Sequence, residues 1–218
     1  MLNKILSMIM ILAFIGATIT GYVMKDTYSN VTATSTVMDN FTVALWDFDM
    51  SPTIIQTMKN DLPHSNLIIR VVSEGETSFS FKNNKQYVKV LEVYKGDEVR
   101  VGDEIAVTSL SWQLFFDDMS ANLNFVNFMQ PQNEYLIFLD RKLDSLDPNE
   151  DNIYLLPDLI IPPIFNYQDK SHKIINVPKE NRYVPYEEVK ENEFLVSSEE
   201  ALNELTKLKH KLIQQYPQ

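Results

Sequence analysis

Gln86-Tyr87-Val88-Lys89-Val90-Leu91-Glu92-Val93-Tyr94, then Lys95-Gly96-Asp97, then Gly102-Asp103-Glu104-Ile105-Ala106-Val107-Thr108: the reading of this run decides the fold. Branched and aromatic side chains pack well on a pleated surface, so the Val- and Tyr-rich segment from Gln86 to Tyr94 is predicted to be a strand. Lys95-Gly96-Asp97 marks a turn, and Gly102-Asp103 introduces a second strand from Glu104 to Thr108. Upstream, Leu67 to Val72 is a short apolar run and reads as a strand. Downstream, Glu134-Tyr135-Leu136-Ile137-Phe138-Leu139 is apolar on both faces, which puts it centrally in a covered sheet or barrel. Ile153 to Leu156 and Leu159 to Phe165 continue the series, and Pro157, Pro162 and Pro163 push that segment towards an edge or extended coil. The strands follow one another closely, with no crossover helices between them. An antiparallel meander or closed barrel is therefore expected over a parallel α/β sheet.

Helices flank this region. Ile54, Ile55, Met58 and Leu62 are spaced like one helix face over residues 53–62, ended by Pro63. Near the C-terminus, Ser197 with Glu200 three positions later has the form of a capping box. Leu202, Leu205, Leu208, Leu212 and Ile213 then form an apolar stripe on a predicted helix over 197–215. Lys207, Lys209 and Lys211 suit the negative end of its dipole. The predicted class is mainly β, with one helix before the sheet region and a C-terminal helix packed on it.

Ile5 to Met24 is a nearly unbroken apolar run. At about 1.5 Å per residue it spans about 30 Å, the thickness of a bilayer's hydrocarbon. An uncleaved transmembrane anchor, a cleaved signal peptide and a buried core helix are the three readings. Lys25-Asp26-Thr27-Tyr28 is a poor cleavage site, and the better one, Val31-Thr32-Ala33, lies far out. The favoured organisation is an anchor over 1–24, a Ser-, Thr- and Asn-rich stalk over 25–40, and a domain over 41–218. Lys4 and the α-amine favour an N-terminus inside and the bulk outside the cytoplasm. A cell-membrane, single-pass location is expected, or secretion if the leader is cut.

The formal charge of −11, with no basic run, argues against nucleic acid and against charge-driven docking on anionic lipid. The absence of cysteine removes disulfides, thiol catalysis, thiolate metal sites and a lipid-modified cysteine.

Four segments in order, Asn66 to Val72, Tyr87 to Asp97, Val101 to Val107 and Asn133 to Leu139, resemble anchored or secreted bacterial domains of the netrin-like, tissue-inhibitor-of-metalloprotease-like class. The resemblance covers roughly residues 52–140. It implies an antiparallel OB-like β-barrel and an extracytoplasmic setting, and no activity. The animal inhibitors of this class chelate the protease zinc through an N-terminal cysteine. This chain has none, so that function is not carried over.

Asp47-Phe48-Asp49-Met50-Ser51 is similar to the nucleophile motif of haloacid-dehalogenase-type phosphatases. Thr108 and Asp117-Asp118 could imitate the other motifs, but they stand too close together for the helix and strand that must intervene. Asp147, Asn149, Asp151 and Asp158 follow the oxygen-ligand order of a calcium loop, with Asn152 where glycine is usual and Asp158 where glutamate is usual. A Ca²⁺ site and a solvated hairpin loop are both open there. His64, His172 and His210 stand in unlike contexts and read as surface or turn residues. Trp112, Phe115, Phe116, Phe125 and Phe128 are dense enough to form a ligand groove, or to plug the core. The leading expectation is a binding module for a protein, peptide or envelope component, with no catalytic residue assigned. The alternatives are a hydrolase using Asp47 and Asp49, and a membrane-protein accessory acting through its anchor helix.

Overall fold

The computed structural model describes residues 2–27, 37–48, 53–80, 83–144, 151–178 and 180–218. In chain order these form α1 (Leu2–Thr27), β1 (Thr42–Ala44), α2 (Thr53–Asp61), β2 (Leu67–Ser80), β3 (Asn83–Lys95), β4 (Glu104–Thr108), β5 (Gln113–Phe115) and β6 (Ser120–Asn122). They continue as β7 (Glu134–Leu139), β8 (Arg141–Lys142), β9 (Ile153–Leu155), β10 (Ile164–Asn166), β11 (Tyr183–Pro185) and α3 (Glu199–Gln215). The class is mixed α+β with mostly sheet. Two units are distinct, Met1–Thr34 and Ser35–Gln218.

In the first unit, Lys4–Tyr22 of α1 has a mean hydropathy of 2.0, and none of that span is buried. Two of its hydroxyls are satisfied within the helix. Thr18 and Thr20 donate back to the carbonyls of Phe14 and Gly16, each at 2.8 Å. Such a helix is compatible with a membrane anchor or a signal sequence.

In the second unit, seven strands form one sheet in the order β10-β7-β2-β3-β4-β9-β8. The hairpin β2–β3 pairs from Ile68 opposite Lys95 out to Ser80 opposite Asn83. It is longer than the runs 67–72 and 86–94, because Thr77 to Ser80 pairs with Asn83 to Gln86 without an apolar alternation to announce it. Register shifts between Ser73 and Thr77, at the point where Gly75 takes φ +77°. A Cβ on Gly75 would stand 2.6 Å from Pro131 Cγ.

The predicted all-antiparallel sheet is corrected in two places, where β4 pairs with β9 in parallel and β1 with β6 in parallel. The expectation assumed that close neighbours in sequence pair with each other. Residues 109–152, with four strands among them, separate β4 from β9 and give ample chain for a crossover. β7 and β8 are separated by Asp140 alone, whose N–H donates to Leu155 O at 2.9 Å. Residues 134–142 therefore border β2 through β7 and β9 through β8.

A second sheet, β11-β1-β6-β5, joins strands from both ends of the domain and had no counterpart in the sequence reading. One core serves both sheets, α2 and α3. Val43, Val88, Ile137, Phe138, Phe165, Leu195 and Leu205 are all fully buried in it. Met38 also belongs to this core, although the sequence places residue 38 in the stalk.

Leu205, Leu208 and Leu212 bury the apolar stripe of α3. The helix is capped by Ser198, not Ser197: the Ser198 hydroxyl accepts from the Ala201 N–H at 3.2 Å. Ser197 is tied elsewhere, its N–H donating to Trp46 O at 2.9 Å. Ala201 occupies the third position after the cap, so the capping box does not form there.

Candidate functional site

The five aromatic residues of the predicted groove are distributed by the core. Trp112 is 2% exposed and Phe125 is fully buried. Phe125 lies against Phe48 at 5.2 Å and Trp46 at 5.4 Å between ring centroids. Its carbonyl accepts the Leu195 N–H, which ties it to the segment leading into α3. Phe116 packs edge-on against Phe41, and Phe128 does so against Phe79 and Tyr186. Phe115, the fifth, lines an open cleft.

That cleft lies on the outer face of the four-stranded sheet. Side chains alternate across a strand, so Val184, Val43, Ala121 and Leu114 turn inward together and are buried. The next row in register, Pro185, Thr42, Ser120 and Phe115, turns outward. The cleft is lined by Thr42, Phe115, Asp118, Ser120 and Tyr183. Rings stand on the outer strands β11 and β5, and short hydroxylic side chains on β1 and β6 between them. Three strand spacings set the two rims about 14 Å apart. Asp118 sits in the β5–β6 turn, where its Oδ1 accepts the Ser120 hydroxyl at 2.7 Å. Asp117 beside it is exposed, and so is Tyr183. Elsewhere in the domain Arg182 places its guanidinium 5.5 Å from the Trp46 ring centroid.

A buried ionic network lies where α3 meets the segment after β10. Lys209 is 2% exposed. Its Nζ donates to Glu193 Oε2 at 2.7 Å, Gln168 O at 2.9 Å and Asp169 Oδ1 at 3.1 Å, using all three protons. Glu193 Oε1 accepts the Asn166 N–H at 2.8 Å. Burial pushes the Glu193 carboxyl up, and Lys209 pulls it back down. Asp169 is held below the usual carboxylate range, first by its bond to His210 Nε2 at 2.9 Å and then by Lys209.

His172 completes the network. Its Nε2 accepts from the N–H groups of both Glu193 and Phe194, at 3.2 and 3.0 Å. Its Nδ1–H then donates to Lys170 O at 3.0 Å, and its ring stacks on Phe194. Burial holds this imidazole below its ordinary value of 6.5. His172 is therefore a half-buried structural acceptor, where the sequence suggested a surface or turn residue. A cavity of about 10 Å³ beside the network, lined by Asn127, Gln130, Asn166 and Glu193 among others, has room for about one water. The sequence signal for Lys209 was its place one turn after Leu205, inside the apolar stripe.

Asp47 accepts the Ser198 hydroxyl at 2.7 Å and the Phe48 N–H at 2.8 Å, so it buttresses the cap of α3. Asp49 lies outside the described residues. Thr108, the second motif position of that reading, is buried and donates to Asn84 O at 2.7 Å. Of the calcium-loop residues, Asp147 and Asn149 lie outside the described residues, and Asp151 and Asp158 are exposed. Among the described residues, no group of three or more His, Cys, Asp or Glu side chains is placed to hold a metal ion. His64 Nδ1 sits 2.9 Å from Asn60 O, at the end of α2.

Compared with protein families and with curated proteins, the chain matches no family model and no individual protein.

Proposed function

We propose that the protein is a membrane-anchored binding module that carries its sheet domain outside the cytoplasm and engages a ligand at the outer face of the four-stranded sheet. One observation carries the reading: the N-terminal helix has the length and hydropathy to cross a bilayer and belongs to a unit of its own. A chain tethered this way acts at the membrane surface through whatever its folded domain binds.

An OB-like closed barrel is the proposed core of that domain. Its support is the pairing β2-β3-β4-β9-β8 together with β7-β2, in which residues 134–142 serve both ends. The parallel β4–β9 pair within an otherwise antiparallel ring further supports it. The open cleft supports a binding role, since rings and polar groups line it together.

Alkaline carbonate extraction of membranes from cells making the full chain tests the anchoring. The expected result is that the protein stays with the membrane pellet at the mass of the uncleaved chain. Recovery of the full-length chain in the soluble fraction would overturn the reading.

A further inference from the structure

We infer that the cleft between β11 and β5 binds a lysine or arginine side chain presented by an extended basic segment of a partner protein. This inference rests on the binding-module reading and names the ligand chemistry of that site.

The argument starts from charge. None of the five lining residues is basic, and Asp118 and its neighbour Asp117 stand exposed at the β5–β6 end. The whole chain carries −11, so its field favours cationic partners and repels phosphates and anionic lipid. Shape adds to this. Phe115 and Tyr183 stand on opposite rims, with the short side chains of Thr42 and Ser120 between the two strands, and the cleft opens to solvent. A long side chain lays its methylene stem along such rings while its charged head stays wet. A cation over a π face is attracted by the ring quadrupole as well. The domain already uses that kind of contact, because Arg182 sits over Trp46. An open cleft whose rims are about 14 Å apart suits an extended chain better than an enclosed small molecule.

The test is a titration of the isotope-labelled full chain in nonionic detergent, followed by amide chemical shifts. The probe is N-acetyl-tetralysine amide. The same peptide acetylated on every side chain and a neutral N-acetylglucosamine oligomer serve as comparators. Saturable shifts confined to Thr42, Gln113–Ser120 and Tyr183, weakened by salt, are expected with tetralysine alone.

Asp118→Asn keeps an acceptor for the Ser120 hydroxyl and is expected to weaken binding about threefold. Tyr183→Ala, at an exposed position, is expected to weaken it by about the same factor. Scattered or absent shifts overturn the inference, as do equal shifts with the acetylated peptide. Preferential binding of the saccharide, or indifference to both substitutions, overturns it too. A membrane-bound chain with a silent cleft fails this inference alone. A soluble chain that binds tetralysine at these residues fails the anchoring alone.

Discussion

Lys209 brings a charged head into the interior, and the groups around it decide whether that is tolerable. With Glu193, Asp169 and the Gln168 carbonyl all in place, each ammonium proton has an acceptor. Lys209→Met leaves the Glu193 carboxylate buried without its partner. Urea unfolding is expected to show a loss of about 3–5 kcal/mol. The double change Lys209→Met with Glu193→Leu removes both charges and should recover most of that loss. Equal losses in the single and double variants would refute the pairing.

His172 adds a pH dependence whose sign follows from its geometry. A proton on Nε2 would face two backbone N–H donors, so the folded state disfavours the cation. Lys209 opposes that proton as well, while Asp169 and Glu199 favour it. The unfolded chain takes the proton near the ordinary value of 6.5, and the folded chain does so only below it. Stability is therefore complete above 6.5 and is lost as pH falls through the window beneath it. Glu193, held up by burial, works in the opposite direction in the acid range. The urea midpoint should fall from pH 7.5 to 5.5 in the native chain and fall less in His172→Gln, whose carbonyl still accepts both N–H groups. Superimposable pH profiles would rule out the role of His172. Little of this network was legible in the sequence. Lysine and histidine are usually solvated, and the partners of Lys209 come from segments 16 to 41 positions away.

At the scale of elements, the long apolar runs announced themselves and the short ones did not. β7 and the shared portions of β2 and β3 were legible because alternating or continuous Val, Ile and Tyr leave few other uses for the backbone. β1, β5, β6 and β11 are three residues each, less than two periods of alternation, so the sheet that bears the cleft left no pattern to read. The aromatic segment of the expected groove divides for a related reason, with Phe115 lining the open cleft and its neighbours packed inside. Aromatic density marks a place where area is buried, and here the core claimed Trp112 and Phe125.

The helix cap was misplaced by one residue because Ser197 and Ser198 both qualify locally, and a tertiary hydrogen bond to Trp46 separates them. Ser198→Ala is expected to lower stability by about 1 kcal/mol. Asp47→Asn, which keeps an acceptor for the Ser198 hydroxyl, should cost less than Asp47→Ala in the same thermal melt. A loss in Asp47→Asn equal to that in Asp47→Ala would show that the carboxylate charge matters beyond this bond. Gly96 takes φ +95°, and a Cβ there would meet Asn66 O at 2.9 Å. Gly96→Ala should therefore destabilise by more than about 1 kcal/mol, and an unchanged denaturation midpoint would contradict that turn.

For the whole molecule, the two units divide the labour by composition. Ile5 to Met24 holds almost nothing that water favours, while the acidic residues all lie C-terminal to it. That contrast was legible at once, because a bilayer demands a continuous run of apolar residues and a globular core does not. The parallel β4–β9 pairing was not legible, since it joins segments more than forty residues apart. Reading the domain as an exported, anchored module joins these two levels, and the complete absence of cysteine makes it directly testable. Leu110→Cys places a single thiol at an exposed position of the domain, and Asn3→Cys places one at the other end of the apolar helix. A membrane-impermeant maleimide is applied to intact cells making each full-length variant. The account predicts labelling of Leu110→Cys before lysis and of Asn3→Cys only after it, and labelling of Leu110→Cys only after lysis would contradict it.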